Sequence, residues 1–271
     1  MNDVKLQDFV NSSGFPLQIG IQNHIEKTSA DHGWKVLLKE FPWRNLETGN
    51  DGFVDLVLRN QYDTLTVILE CKRVRDTNWI FLEPSTKSAE RRHGTFWLTC
   101  VENENTKDFG WYDAALDPTS SESEFCVVPG QDPKSKPMIE RTAAELLEAT
   151  EAIAFEEYQL HKNDKTSLRY FYFPVIATTA ELQICTFSPD DISIERGELQ
   201  KSKFRKAPFV RLRKSLTTKQ QSYSGPKDIR EIARDKERTV FVVNSANLVY
   251  FIQNLEAPGS PATTYRRLSG P

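Results

Sequence analysis

Two consecutive apolar segments of this chain end in charged residues, and this pattern constrains the fold more than any other feature. Residues 52–58 (GFVDLVL) contain Asp55, and residues 64–73 (TLTVILECKR) contain Glu70 and Lys72. Both segments are rich in β-branched and aliphatic residues, which predicts two strands. The short polar stretch between them has the length of a hairpin connection. We therefore expect neighbouring antiparallel strands that carry two acids and a lysine near their ends.

The charged residues need an explanation, because strand interiors reject charge unless it is paired or binds a metal. Side chains alternate faces along a strand, so Glu70 and Lys72 share a face and Cys71 points away from it. Asp55 meets Glu70 when paired residue numbers add to an odd value, and a slip of one residue sends Asp55 to the other face. In the matching register, the two carboxylates can hold one divalent metal beside the lysine ammonium.

A second interpretation of the same residues is a structural salt bridge. Lys72 would then pair with Asp55 or Glu70 at a sheet edge, and the remaining carboxylate would carry a raised pKa. The sequence alone leaves both interpretations open.

The order of elements around these strands resembles a known family. Residues 17–26 (LQIGIQNHIE) have a helical pattern, residues 33–41 (GWKVLLKEF) have a strand pattern, and the strands with Asp55 and Glu70-Cys71-Lys72 follow. This order resembles the PD-(D/E)xK nuclease superfamily, also called restriction-endonuclease-like, over about residues 15–75. The resemblance implies an α/β fold with a restriction-endonuclease-like core, in which a mixed central β-sheet is flanked by helices.

The resemblance also implies an activity. It implies a metal-dependent nuclease that hydrolyses phosphodiester bonds, in DNA rather than RNA, for restriction, defence or repair. Asp55, Glu70 and the Cys71 carbonyl would hold Mg²⁺, with Mn²⁺ as a substitute. Lys72 would orient or deprotonate the attacking water, or stabilise negative charge.

The remaining site position, on the helix, is less well defined. The superfamily spacing assigns it to Gln22, where an acid is usual, and Glu26 lies one turn later on the same side. The spacing favours Gln22, whereas a carboxylate neutralises Mg²⁺ better than an amide does. The competing functional class is a non-catalytic nucleic-acid-binding or interaction module on the same fold.

Basic residues indicate where nucleic acid would bind. Net charge is −3, so any such surface must be local. Arg73 follows the Glu-x-Lys triplet, and Lys203, Arg205 and Lys206 lie in a basic stretch. We expect them to contact phosphates of DNA. The alternative is that they form a solvated face whose positive charge offsets the acidic residues of the chain. The sequence is compatible with a homodimer or with a separate partner subunit.

Composition and periodicity give the remaining expectations. We predict one domain over residues 1–256, with a polar stretch near 102–137 that is an insertion or a mobile excursion, and a disordered tail at 257–271. Four scattered cysteines argue against a zinc site and a disulfide framework and suit the cytoplasm. We expect no signal peptide and no membrane association. Further elements are predicted as follows: helices at 138–162 and 245–255, and strands at 96–101, 170–177, 181–187, 209–212 and 239–244.

Overall fold

The computed structural model of the chain describes residues 3–75, 77–85, 91–102, 105–131, 136–163, 167–216 and 228–259. The helices within these ranges are α1 (Asp3–Ser12), α2 (Phe15–His32), α3 (Met138–His161), α4 (Ile229–Arg234) and α5 (Leu248–Gln253). The strands are β1 (Trp34–Arg44), β2 (Asp51–Asn60), β3 (Leu65–Lys72), β4 (Asn78–Pro84), β5 (Arg91–Glu102), β6 (Asn105–Ser120), β7 (Glu122–Ser123), β8 (Cys126–Val127), β9 (Leu168–Thr178), β10 (Glu181–Phe187), β11 (Ile192–Ser193), β12 (Glu198–Leu199), β13 (Lys203–Ala207), β14 (Phe209–Ser215) and β15 (Glu237–Asn244).

The largest sheet is mixed. Its strands run in the order β1-β2-β3-β9-β15-β14-β7, and β5 and β6 extend it from the first half of β9. Strands β1, β2 and β3 form an antiparallel meander, whereas β9 is parallel to β3 and β15 is parallel to β9. The predicted α/β class with a mixed central sheet flanked by helices is therefore confirmed.

Helices cover this sheet on both faces. Ile68 of β3 and Val57 of β2 belong to a core cluster with Leu146 and Ile153 of α3. Val67, the neighbour of Ile68, belongs to a second cluster with residues of α2 and α5. Residues 65–69 of β3 are buried throughout, as expected of a strand that is covered on both faces. Charge on β3 is therefore confined to its end, where the site lies.

Local sequence signals define α2 clearly. Pro16 lies in its first turn, where the missing N–H costs nothing. Gly33 ends the helix in the left-handed conformation, with φ 71°, and donates its N–H to the Ser29 carbonyl. Ile21 and Ile25 are buried against the sheet. This packing fixes the height of α2 over β1, β2 and β3.

A smaller sheet of four strands lies beside the large one. Its order is β13-β10-β4-β8, with β10 parallel to β4 and β13 antiparallel to β10. Strand β10 begins three residues after β9 ends, so the two sheets are joined near the end of β9. Strand β13 carries the basic stretch on an exposed edge.

Two sequence-based expectations require correction. The segment 102–137 is not an irregular excursion, because it contains the long strand β6 and the short strands β7 and β8. The predicted tail 257–271 begins with Ala257, which is buried in the core, and Glu256 bridges to Asp117. Residues 260–271 lie outside the described part of the chain. Among the helices of the described ranges, none is both long enough and apolar enough to cross a membrane.

One buried ion pair ties α3 to the sheet. The Arg59 guanidinium of β2 donates to both carboxylate oxygens of Glu157 on α3, at 2.5 and 2.6 Å. Its Nε donates to Thr66 Oγ1 at 3.1 Å, and the Tyr172 hydroxyl donates to Glu157 at 2.7 Å. The Arg59 side chain is only 8% exposed. Removing one partner would leave the other charge buried and uncompensated.

We therefore predict that Arg59→Met lowers the free energy of unfolding in urea by about 3–5 kcal/mol. The control is Lys35→Met, which removes an ion pair with Asp63 on the same hairpin whose side chains are 54% and 61% exposed. That control should cost less than about 1 kcal/mol. Equal losses for the two variants would contradict a structural role for the Arg59 pair.

Candidate functional site

The site is built where β2 and β3 separate. Backbone pairing runs from Arg59 and Thr66 to Leu56 and Leu69, and the paired residue numbers all add to the same odd value. Continued by one step, this register places Asp55 opposite Glu70. The register that brings the two carboxylates together is thus the one that the structure has.

Side chains replace the hydrogen bonds that the separating strands no longer make. The Cys71 amide donates to the Asp55 carboxylate at 2.6 Å. The Gln18 side-chain amide of α2 donates to the Asp55 main-chain carbonyl at 3.2 Å. Buried backbone groups need such partners, because leaving one unpaired costs as much as a lost hydrogen bond. The two bonds hold Asp55 from both sides and leave the strand ends apart.

Glu40 is the second partner of the Gln18 amide. Lys39 pairs with Leu56 and Phe41 pairs with Val54, so Glu40 of β1 faces Asp55 across the hairpin. Gln18 donates to the Glu40 carboxylate as well. Glu40 has φ 46°, a left-handed conformation that costs about 1–3 kcal/mol in a non-glycine residue. Glu40, Asp55 and Glu70 therefore occupy facing positions on three neighbouring strands.

Lys72 pairs with Glu70 on the shared face of β3. Its ammonium lies 2.7 Å from the Glu70 carboxylate, and the side chains are 30% and 19% exposed. The ion pair required by the salt-bridge interpretation is therefore present. That interpretation also requires one carboxylate with a raised pKa, whereas the structure has two.

Burial raises the pKa of both carboxyl groups. For Asp55, the Glu40 charge adds to burial, while the Cys71 amide and Lys72 oppose it. For Glu70, the Asp55 charge adds to burial, and Lys72 only partly offsets this effect. A carboxyl whose pKa stays raised beside its own lysine partner is not a fully compensated salt bridge, and perturbed acids of this kind concentrate at functional sites.

Cys71 contributes its main chain rather than its thiol. The amide holds Asp55, as described above, and the side chain packs against the core cluster on the α2 side. Burial raises the pKa of the Cys71 thiol, and the Asp55 charge raises it further, so the thiol is neutral. The expected metal contact through the Cys71 carbonyl remains a prediction.

A helix residue that the sequence analysis did not name contacts the site, and the metal-side role of Gln22 or Glu26 remains a prediction. The Gln22 amide donates to the Glu26 carboxylate at 3.0 Å, along the helix. The amide that reaches β2 belongs to Gln18, one turn earlier, which is buried on the same side as Ile21 and Ile25. Gln18 could have been identified from the sequence, because it is a polar residue within the apolar stripe of α2. Nothing in the sequence pattern of β1 distinguished Glu40.

The basic residues differ in their contacts. Arg73 follows β3 directly and is half-buried. Arg205 of β13 lies 3.4 Å from the Glu83 carboxylate, which is buried, and also contacts Ser121. Lys206 pairs with Glu181 at the start of β10, and Lys203 is exposed.

The position of Lys206 relative to the acids follows from strand order. Lys72 pairs with Thr178 at the end of β9, and β10 begins at Glu181 shortly after it. Lys206, which pairs with Glu181, therefore lies at the start of β10, three residues along the chain from the end of β9.

A cleft of about 610 Å³ adjoins Glu70. One wall is the start of β2, including Gly52 and Phe53, and the other is the first half of α3, including Arg141 and Glu145. Its size is typical of pockets that bind small ligands, roughly 300–1,000 Å³. Of the two acids Asp55 and Glu70, it is Glu70 that lines the cleft and would contact a molecule bound there.

Comparison with protein-family models, with curated proteins and with solved structures found no match. Within the described part of the chain, no group of three or more His, Cys, Asp or Glu side chains is arranged to hold a metal ion.

The raised pKa of Asp55 predicts the behaviour of Asp55→Asn without metal. The folded state binds a proton more tightly than the unfolded state, so the free energy of unfolding falls as pH rises from about 4 through the folded-state pKa. Asparagine removes this penalty and can still accept from the Cys71 amide.

In EDTA at pH 7 we therefore expect Asp55→Asn to melt at or above the wild-type temperature, and the difference to disappear below about pH 4. Asp63→Asn, an exposed change at the turn of the same hairpin, is the control and should have little effect. A marked drop in the melting temperature of Asp55→Asn would instead support the structural salt bridge.

Proposed function

We propose that the protein is a metal-dependent nuclease that hydrolyses phosphodiester bonds, with DNA as its substrate. The observation that carries this proposal is the juxtaposition of Asp55 and Glu70 on separating strand ends, with Lys72 on Glu70 and a cleft beside it. Burial raises the pKa of both carboxyl groups, the Glu40 charge raises that of Asp55 further, and the Asp55 charge raises that of Glu70. Two such carboxylates side by side form a natural site for a divalent cation.

The order of elements supports a restriction-endonuclease-like core. Helix α2 is followed by the antiparallel meander β1-β2-β3, then, after the inserted strands β4–β8, by α3, and then by β9, parallel to β3. Helices α2 and α3 lie on opposite faces of this sheet. The proposed core thus spans these six elements, and β4–β8 form an insertion between its third strand and its second helix.

The donor set fits Mg²⁺, with Mn²⁺ as a substitute. Mg²⁺ is usually held by one or two carboxylates together with waters and substrate phosphates, rather than by a complete protein cage. Asp55 and Glu70 would supply these carboxylates, and the Cys71 carbonyl is the third proposed ligand. When bound, the ion would neutralise phosphate charge and lower the pKa of a water molecule.

The chain's own residues have distinct roles in this proposal. Lys72 supplies a point cation at the Glu70 carboxylate, where it can also stabilise negative charge on a phosphate. The Cys71 amide fixes one oxygen of Asp55, which orients the other. Gln18 fixes the backbone of Asp55, and so keeps β2 apart from β3.

The cytoplasm is the location that we propose for this activity. All four cysteines are free thiols, and Cys100 and Cys185 are buried. Buried free thiols suit a reducing compartment.

Glu70→Ala and Lys72→Ala should each reduce DNA cleavage by at least about 100-fold, because each removes a group that acts on the reacting phosphate. Plasmid, linear and single-stranded DNA should be tested with Mg²⁺, Mn²⁺ or EDTA, and melting curves in EDTA should confirm that the variants fold. Lys35→Ala is the control and should retain activity.

Two results would contradict this mechanism: cleavage that persists in EDTA, and a wild-type rate in Lys72→Ala. DNA binding without cleavage under any metal condition would favour the non-catalytic binding module.

The basic strand β13 gives a separate prediction. If Lys203 contacts a phosphate, Lys203→Gln should flatten the slope of log affinity against log salt by about 0.9 on duplex DNA. Arg205→Gln should act differently, because it leaves the buried Glu83 without its cation. We expect that variant to lose stability in urea. An unchanged salt slope in Lys203→Gln would show that β13 is a solvated face.

A further inference from the structure

The cleft beside Glu70 has one aromatic wall that the proposed reaction does not explain. Phe53 lines it and is 66% exposed, although it lies on a strand that is otherwise largely buried. What distinguishes Phe53 from other exposed rings is its place in the cleft wall, where a stacked ligand would remove its apolar surface from water. Asp55, the proposed metal ligand, is two residues away on the same strand.

The backbone next to Phe53 is held in place by a second aromatic ring. A Cβ on Gly52 would lie 3.1 Å from the Trp43 ring, so glycine allows β1 and β2 to approach closely here. Trp43 is buried and also lines the cleft. The position of Phe53 is therefore set by packing in the core, which gives the cleft a preformed aromatic wall.

Cationic and anionic groups are both present around this wall. Lys136, two residues before α3, and Arg141, in the first turns of α3, are exposed, so they can contact a phosphate. Asp51 and Glu145 are exposed carboxylates that can accept hydrogen bonds from the amino groups of a base. Glu148 instead accepts from Thr48 and Asn50, at 2.9 Å each.

We propose that this cleft binds one unpaired nucleotide of the substrate strand, next to the scissile phosphate. Its base stacks on Phe53, and its phosphate contacts Lys136 and Arg141. The cleft volume of about 610 Å³ suits a single nucleotide and is too small for a duplex. This inference rests on the proposed nuclease function and narrows its substrate to single-stranded DNA or DNA with an unpaired end.

The experiment measures binding apart from cleavage. Fluorescein-labelled single-stranded, blunt duplex and forked DNA of equal length are titrated by anisotropy with Ca²⁺ in place of Mg²⁺, and cleavage of the same substrates is then measured in Mg²⁺. The variants are Phe53→Ala and, as a matched control, Phe9→Ala, which removes a phenylalanine on α1 that is 63% exposed.

We expect wild type to prefer single-stranded or forked DNA over blunt duplex. Phe53→Ala should weaken binding of the single strand by about 5- to 150-fold, the range for loss of one base stack, and change duplex binding little. Phe9→Ala should match wild type. Melting curves should show that Phe53→Ala is folded, as expected for an exposed side chain.

Wild-type preference for blunt duplex would overturn the inference, and so would equal affinity of Phe53→Ala and wild type for single strands. If wild type cleaves blunt duplex in Mg²⁺ and Phe53→Ala is unaffected, only this inference fails. If wild type cleaves nothing with Mg²⁺ or Mn²⁺, the proposed function fails, and anisotropy still shows whether Phe53 holds a base.

Discussion

The hydrogen bond from the Cys71 amide to the Asp55 carboxylate is the contact on which the arrangement of the site depends. Strands β2 and β3 are fully paired through the core and part after Leu56 and Leu69. An unpaired amide at this point would be costly, because it is partly buried. The Asp55 side chain supplies the missing acceptor. One short polar side chain therefore ends the pairing and presents its second carboxylate oxygen beside Glu70.

The separation of β2 and β3 explains the contacts of the surrounding residues. Gln18 satisfies the Asp55 carbonyl, which the parted strands leave without a ladder partner. The same amide binds Glu40, which retains an unfavourable backbone conformation next to it. Strain of this kind persists when the surrounding structure over-determines it, and it is common at functional sites. Here the strained residue and the buried amide both lie beside Asp55, which indicates that the local fold serves the site.

The sequence predicted the elements whose signals are local. The apolar runs around Asp55 and Glu70 and the long amphipathic helix at 138–162 carry their own pattern, and the structure has them. The sequence left the register of the hairpin open, because no turn signal fixes it, and stated only that an odd sum of paired residue numbers joins the acids. The structure has such a register.

Other parts could not be predicted, because their signals are non-local. Strand β6 is rich in polar residues, and it is a strand because β5 offers a pairing edge. Ala257 belongs to a segment with the composition of a loose tail, and a long-range bridge between Glu256 and Asp117 holds it in the core. The contact of Gln18 with β2 was not predicted, because it depends on the height of α2 over the sheet, which no local pattern encodes.

Two groups of buried charge in this fold show opposite arrangements, and the contrast supports a functional role for one of them. Arg59 and Glu157 are joined by two parallel hydrogen bonds, and the Tyr172 hydroxyl donates a further hydrogen bond to the Glu157 carboxylate. Asp55 and Glu70 instead repel each other beside the cation of Lys72, and Glu70 lines a cleft.

A structural network gains nothing from such repulsion, because replacing one acid by an amide would relieve it. A cation site does gain, since the energy stored in the repulsion is released when the cation binds. In the proposed function, a bound cation would complete the compensation that Lys72 leaves partial at Asp55 and Glu70.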